Sequence, residues 1–392
     1  MMKNNRKSIV VWIALCLYTI VLSSCAVIRG LALDGVSGPD MYAYRKLDKD
    51  TIFKGNDIFR FPLADEHSTL KGSTQIKYGK HGEGPLDSLL NKWFGDDCQM
   101  LIIHNDSIVY DKCFGNYFAG ENATVFSVSK SITGLLCGIA VDEGYIKNVD
   151  DFVTDYLPEL RESDPMFQQL KIVHLLNMQT GLDFQEEYSL SLKNIRKIVK
   201  IAQLQYGRDY TKVVRNARFK SRPGGKYEYN SLATAILCLI LERATGKSYA
   251  QYMSEKVWKP LGMQHNAWIT LDSRKHRHAH GFGGIATNVY DLAKIGRLYL
   301  NKGVWNGRQI VSKEWIENTL IPTKENNSYH YNWYYQYYKD GTSYDSYYAL
   351  GIGHKLIYIN LQKNVIITWI GNHYNASFWE MAFFDYLCKK LF

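Results

Sequence analysis

The sequence predicts an α/β fold of the α+β kind: one antiparallel sheet built from both chain ends, flanked by helices, with an all-helical region inserted between. Three observations carry this. An early hairpin pattern, apolar at 100–103 and 108–110, brackets the turn-forming pair Asn105-Asp106. β-rich runs return only near the end, at 332–338, 355–359 and 365–370, with Leu361-Gln-Lys-Asn364 as a natural hairpin loop. The long middle is helical and loop-rich, with apolar residues at helical spacing.

Taken in order, the chain opens on a targeting segment. Lys3, Arg6 and Lys7 precede an apolar run over 8–22, then Ser23-Ser24-Cys25. Leu22-Ser-Ser-Cys25 resembles a bacterial lipobox, which implies a signal peptide over 1–24 and a lipid anchor on Cys25. An uncleaved signal anchor is the alternative, since 26–28 and 31–33 prolong the apolar character. Either way the body is expected outside the cytoplasmic membrane and tethered to it, on the periplasmic or cell-surface side. Residues 25–80 are polar with short apolar patches, and read as an extended arm packed on a main body over 81–392.

In that body 86–94 reads as an amphipathic helix, followed by the hairpin. Counted from Asn105-Asp106 by strict alternation, Cys98 and Cys113 fall opposite one another; an oxidising compartment permits a bridge between them. Further helices are expected over 150–158, 172–178, 192–200, 232–244 and 291–300, and a Phe-rich one closes the chain over 377–391. The net charge of +9 is modest for 392 residues, and no Lys/Arg block is interleaved with exposed aromatics, which argues against a nucleic-acid partner.

The chemistry centres on Thr124-Val-Phe-Ser-Val-Ser-Lys-Ser-Ile-Thr-Gly134. Ser127 and Lys130 are three residues apart, hence on one face of a helix whose apolar run ends near Gly144. A lysine with a depressed pKa one turn on could take the serine proton, making Ser127 a candidate nucleophile. The competing reading is a helix cap beside a solvated lysine. Ser68 and Lys71 repeat the spacing without an apolar helix after them, so they are set aside. His276, His278 and His280 alternate as metal ligands on a strand could, but no carboxylate or cysteine of suitable spacing joins them, so no metal or cofactor is expected.

From about Leu86 to the end the chain resembles the serine β-lactamase and penicillin-binding-protein superfamily, most closely the class C branch with its esterases, D-amino-acid peptidases and 6-aminohexanoate-dimer hydrolases. Ser127-Val-Ser-Lys130 matches the first motif, and Leu175-Leu-Asn-Met-Gln-Thr-Gly-Leu182 and Pro260-Leu-Gly-Met263 match its surroundings. The resemblance implies a Tyr-x-Asn motif at Pro223-Gly-Gly-Lys-Tyr-Glu-Tyr-Asn-Ser231, with Tyr229 as catalytic tyrosine, Ser231 at the usual Asn position and Tyr227 as competitor. The third motif, Lys-Thr-Gly or His-Thr-Gly, is replaced by Gly351-Ile-Gly353 before His354 and Lys355. The resemblance then implies an oxyanion hole from the Ser127 and His354 amides, with Gly351, Gly353 and Ser231 lining the substrate site. Most of the Tyr-rich stretch 329–348 reads as sheet packing, with Trp333 or a neighbouring tyrosine reaching the cleft. The expected activity is hydrolysis of a small ester, amide or peptide through an acyl-enzyme. A slowly deacylating or non-catalytic penicillin-binding sensor, or a class C-type β-lactamase, is the alternative.

Overall fold

The computed structural model describes residues 25–392 apart from 96, 187–191, 322–325, 327, 336–345 and 373–378. The expected signal peptide therefore lies outside the described residues, as do parts of the expected strand at 332–338 and of the closing helix. No described helix is long and apolar enough to cross a membrane.

The main sheet has seven strands: β1 (Cys98–His104), β2 (Ser107–Phe114), β3 (Tyr329–His330), β4 (Trp333–Tyr335), β5 (Ser346–Gly351), β6 (Lys355–Asn360) and β7 (Val365–Ile370). Their spatial order is β3-β4-β5-β6-β7-β1-β2, each neighbour antiparallel. The two ends of the chain meet where β7 pairs with β1, from Val365 opposite His104 to Ile370 opposite Gln99. Alternate residues supply two cores. Cys98, Met100, Ile367 and Trp369 pack on one face with α1 (Leu86–Phe94), while Leu101, Ile103, Ile366 and Ile370 face the helical body. With both faces buried, these strands read as continuous apolar runs.

The remaining helices that matter for the site are α2 (Val128–Asp142), α3 (Ser231–Thr245), α4 (Val289–Leu300) and the closing α5 (Trp379–Leu391). Gly144 and Gly246, with φ of 75° and 67°, follow α2 and α3, where only a residue tolerant of left-handed backbone ends a helix without strain. The expected helix at 150–158 shrinks to the turn Val153–Tyr156, because Pro158 opens a separate short helical turn.

Two expectations are corrected. Asn105 and Asp106 do form a hairpin turn, both with positive φ (49° and 63°). A register shift between Ile102 and Ile103, however, places Phe114 opposite Cys98 and Cys113 opposite Gln99. One extra residue reverses the face of everything beyond it, so the two thiols do not face each other and neither forms a disulfide. The arm is also less extended than expected. It begins with the helix Cys25–Asp34, where Cys25 is exposed and Arg29 donates to the Tyr206 carbonyl at 3.1 Å. Further on, Lys49–Ile52 joins a second, four-stranded sheet with Ala267–Thr270, Ile285–Thr287 and Ala123–Thr124. Strands this short carry too little periodicity to be read from sequence, yet the last of them delivers the chain to Ser127.

Candidate active site

The backbone leaves Ala123–Thr124, bonds Val125 N–H to the Ile285 carbonyl at 2.9 Å, and turns sharply at Phe126. Phe126 has φ of 45°, a left-handed conformation that costs a non-glycine residue energy and persists only where its surroundings enforce it. Ser127 follows at the head of α2 and makes no side-chain capping bond, so its hydroxyl is not spent on the helix. α2 itself is buried on all sides from Val128 to Ala140. Its polar residues are tied down: Ser129 Oγ accepts from Ile285 N–H (3.1 Å), Ser131 donates to the Asn332 carbonyl (2.5 Å) and Thr133 to the Gly281 carbonyl (2.8 Å). A helix sutured this way holds Ser127 and Lys130 in fixed relation.

Lys130 is 2% exposed. Its Nζ stands 3.0 Å from Ser127 Oγ and donates to the Phe282 carbonyl at 2.8 Å. Burial pulls its pKa down to about 8, against the opposing pull of the Glu186 carboxylate. The solvated-lysine alternative is thereby excluded. Tyr229 covers the same group, with Lys130 Nζ 4.9 Å from its ring centroid, and its phenol interacts with the neighbouring Ser127 and Tyr334 side chains. Burial, reinforced by Glu186, pushes the Tyr229 phenol well above its ordinary value, so it is protonated at neutral pH. The Tyr227 side chain interacts with Tyr334, and its ring lies tilted 5.5 Å from that of Tyr329.

Glu186 went unseen in the sequence, where it is one acidic residue in a polar loop. In the structure its carboxylate accepts the Ser231 backbone N–H and acts on Lys130 and Tyr229 together. Ser231 thus meets the site through its amide as the first residue of α3, after Asn230 caps that helix by accepting from Ala233 N–H at 2.9 Å.

The third-motif segment differs more from expectation. A Cβ added to Gly351 would collide with the Val125 carbonyl and come within 3.2 Å of the Ser127 amide nitrogen, so this position must be glycine. It is Gly351, then, whose backbone lies against the nucleophile's own. His354 sits three residues on, in the turn that pairs Gly351 with Lys355, with φ of 59°. Its ring turns into the opposite core, 4.8 Å from Trp369 and 5.9 Å from Phe94. Gly353 lends its carbonyl to Lys355, whose buried Nζ donates there at 3.0 Å and to the Gly371 carbonyl, 5.1 Å from the Phe126 ring centroid. Neither His354 nor Lys355 restores a cation to the cleft.

Trp333 is likewise corrected. It is fully buried against Tyr299 (4.4 Å) and Tyr347 (5.3 Å), because β4 turns it toward the helical core. Its neighbour Tyr334 faces the other way and stacks on Tyr229 at 6.3 Å. The histidine run is split as well. His280 is buried beside Thr270 Oγ1 (3.1 Å), its pKa pushed down to about 3 by burial. His276 and His278 instead meet Asp209, a carboxylate brought from a distant loop, which the sequence spacing could not reveal.

Known proteins resemble this chain in sequence and in fold. A 6-aminohexanoate-dimer hydrolase of Paenarthrobacter ureafaciens is 29% identical over 224 residues, 56% of this chain and 56% of that protein. The chain spans about half the length of that relative, and the Staphylococcus aureus protein flp matches over 47% of this chain and 37% of its own, at 24% identity. Among solved structures, a Bacillus anthracis protein assigned to the 6-aminohexanoate-dimer hydrolases superposes with TM-score 0.74 at 21% identity, covering 92% of both chains. A penicillin-binding protein from Bacillus halodurans gives 0.59 at 16%, over 80% of this chain and 100% of its own. The beta-lactamase family model matches residues 98–379, which takes in the Ser127 helix, Tyr229 and the Gly351 hairpin; the chain belongs to the beta-lactamase family.

Proposed function

We propose that this protein is a serine hydrolase that cleaves an ester or amide through an acyl-enzyme on Ser127. One observation carries the reading: Ser127 Oγ lies 3.0 Å from the amine of a buried lysine whose pKa is drawn down to about 8. Neutral Lys130 takes the Ser127 proton as Oγ attacks the carbonyl carbon. The tetrahedral oxyanion rests on the Ser127 amide and on the edge that starts at Gly351; the next amide, that of Ile352, replaces His354 as the second donor. Tyr229, protonated and beside Ser127, gives its proton to the leaving group and is reprotonated from Lys130. Water then attacks the acyl ester by the reverse path and frees the acid. Because the Lys355 amine is spent on the Gly353 and Gly371 carbonyls and the His354 ring faces the opposite core, an uncharged acyl group is favoured over a penicillin, and the named relatives suggest short amides of amino acids as first substrates to try.

A fluorophosphonate probe should add covalently to Ser127 and to no other serine, as read by intact mass and peptide mapping. Equal labelling of Ser127→Ala would sink the assignment.

The pH dependence follows from the base. Because Lys130 must be neutral, kcat/KM on an activated ester should rise with pH and level off above about 8. Glu186 raises the Lys130 pKa, so Glu186→Gln should move the acid limb to lower pH. A limb that stays in place in this variant would show that Lys130 does not set it.

A further inference from the structure

Away from the nucleophile, the histidine pair makes a site of its own. His276, His278 and Asp209 place one donor atom each within 4.8 Å of one another. Three features build the arrangement rather than leaving it to loose surface side chains. Arg277 between the histidines takes a left-handed φ of 62°, and the two rings end 6.3 Å apart and 25° from parallel. Asp272 fixes that loop, accepting from Ser273 N–H at 2.6 Å and His278 N–H at 3.1 Å. Asp209 is fixed in turn, its Oδ1 accepting from Thr211 N–H at 3.1 Å and from the Thr211 hydroxyl.

A second, independent contact points to a ligand. His278 Nδ1 lies 3.6 Å from a Glu242 carboxylate oxygen on α3. A carboxylate beside one ring nitrogen favours a single tautomer and ring orientation; metal-binding histidines are held in this way. The site opens on a groove of about 640 Å³ lined in part by His276, His278, Glu242 and Arg243, which gives an ion a path in from solvent. Three of the four arginines and lysines lining that groove are paired with carboxylates, Arg243 with Glu159 at 3.2 Å, Lys247 with Glu255, and Arg277 with Asp50, and the fourth, Arg215, donates to Thr211 Oγ1 at 3.4 Å.

We infer that Asp209, His276 and His278, backed by Glu242, form a binding site for a divalent transition-metal ion of the zinc class. Two imidazoles and one carboxylate suit zinc and its neighbours, whereas calcium and magnesium need all-oxygen sets. The three protein ligands leave one position for water. The ion fastens the loop after Asp272 to the Asp209 segment and, through Glu242, to α3. That loop runs on to Gly281 and Phe282, whose carbonyls hold Thr133 and Lys130 of the nucleophile helix. The site is therefore a structural staple on the wall of the catalytic cleft.

The test uses the full chain after chelator treatment, titrated with zinc chloride and separately with cobalt(II) chloride. Calorimetry should give one equivalent of bound zinc, and zinc should raise the thermal midpoint by a few degrees. Cobalt should give ligand-field absorption without a thiolate charge-transfer band. His276 is exposed, so His276→Ala will fold, and it should weaken zinc binding at least tenfold; Glu242→Gln should weaken it about 10-fold by releasing the imidazole behind it. No binding to the wild-type protein, equal binding to His276→Ala, or a thiolate band that assigns the ion to a cysteine overturns the proposal.

Discussion

Lys130→Met should leave a folded protein whose kcat/KM on any ester or amide is lower by about 10⁴-fold or more, the scale on which loss of one member of a nucleophile–base unit acts. Methionine fills nearly the same volume, so the packing of α2 around it stays intact. What disappears is the amine 3.0 Å from Ser127 Oγ. Without it the serine must lose its proton to water at an ordinary hydroxyl pKa. Because the two residues act as one unit, Ser127→Ala combined with Lys130→Met should be no worse than either alone. Stability should move the other way. The native Lys130 pKa lies near 8, below the 10.5 of a free lysine, so the folded state holds its proton less tightly than the unfolded state does. That penalty is present in full below pH 8 and fades as pH rises towards 10.5. Lys130→Met removes it, so the variant should melt no lower than the wild type at pH 7, with a flatter rise in stability above that. A variant that keeps a tenth of the wild-type rate would remove Lys130 from the mechanism.

What could be read from the sequence divides along physical lines. Local periodicity located α1, α2, α3, β1 and β7, because each buries one or both faces along its whole length. The Ser127–Lys130 spacing was legible because a helix converts three residues into one face. Features that depend on a single-residue count were not. The shift between Ile102 and Ile103 undid the Cys98–Cys113 alignment, and the parity of β4, which decides whether Trp333 or Tyr334 meets the cleft, has no sequence marker. Gly351 and His354 were confused for the same reason: the resemblance located the hairpin, while the close backbone approach that demands a glycine is a property of two strands in space. Glu186 and Asp209 were invisible for a third reason. Each is an acidic residue in a loop, and only the tertiary fold sets it beside Lys130 in one case and beside His276 in the other.

Tyr229→Phe should lower turnover about 100-fold or more on an amide, the usual scale for a positioned acid. It should cost much less on an activated ester of the same acyl group. The difference rests on where the proton is needed. An amine leaves only if it is protonated as the bond breaks, whereas an activated alkoxide or phenoxide departs without help. Tyr229 is suited to the donor role because burial and the Glu186 carboxylate keep its phenol protonated at every working pH. Its phenol interacts with Ser127, whose Oγ bonds to the carbonyl carbon from which the leaving group separates. Tyr227 also carries a phenol that burial holds protonated, but it is less buried than Tyr229 and its side chain interacts with Tyr334. Tyr227→Phe should therefore change either rate by less than about threefold, since it removes a neighbour of the donor and not the donor itself. Both variants measured on a matched amide and ester pair decide the matter. Equal losses on the two substrates would make Tyr229 a binding group and leave Lys130 as the only proton carrier. A larger loss in Tyr227→Phe would transfer the donor role to that residue, through a cleft in which Tyr334 has turned its hydroxyl away.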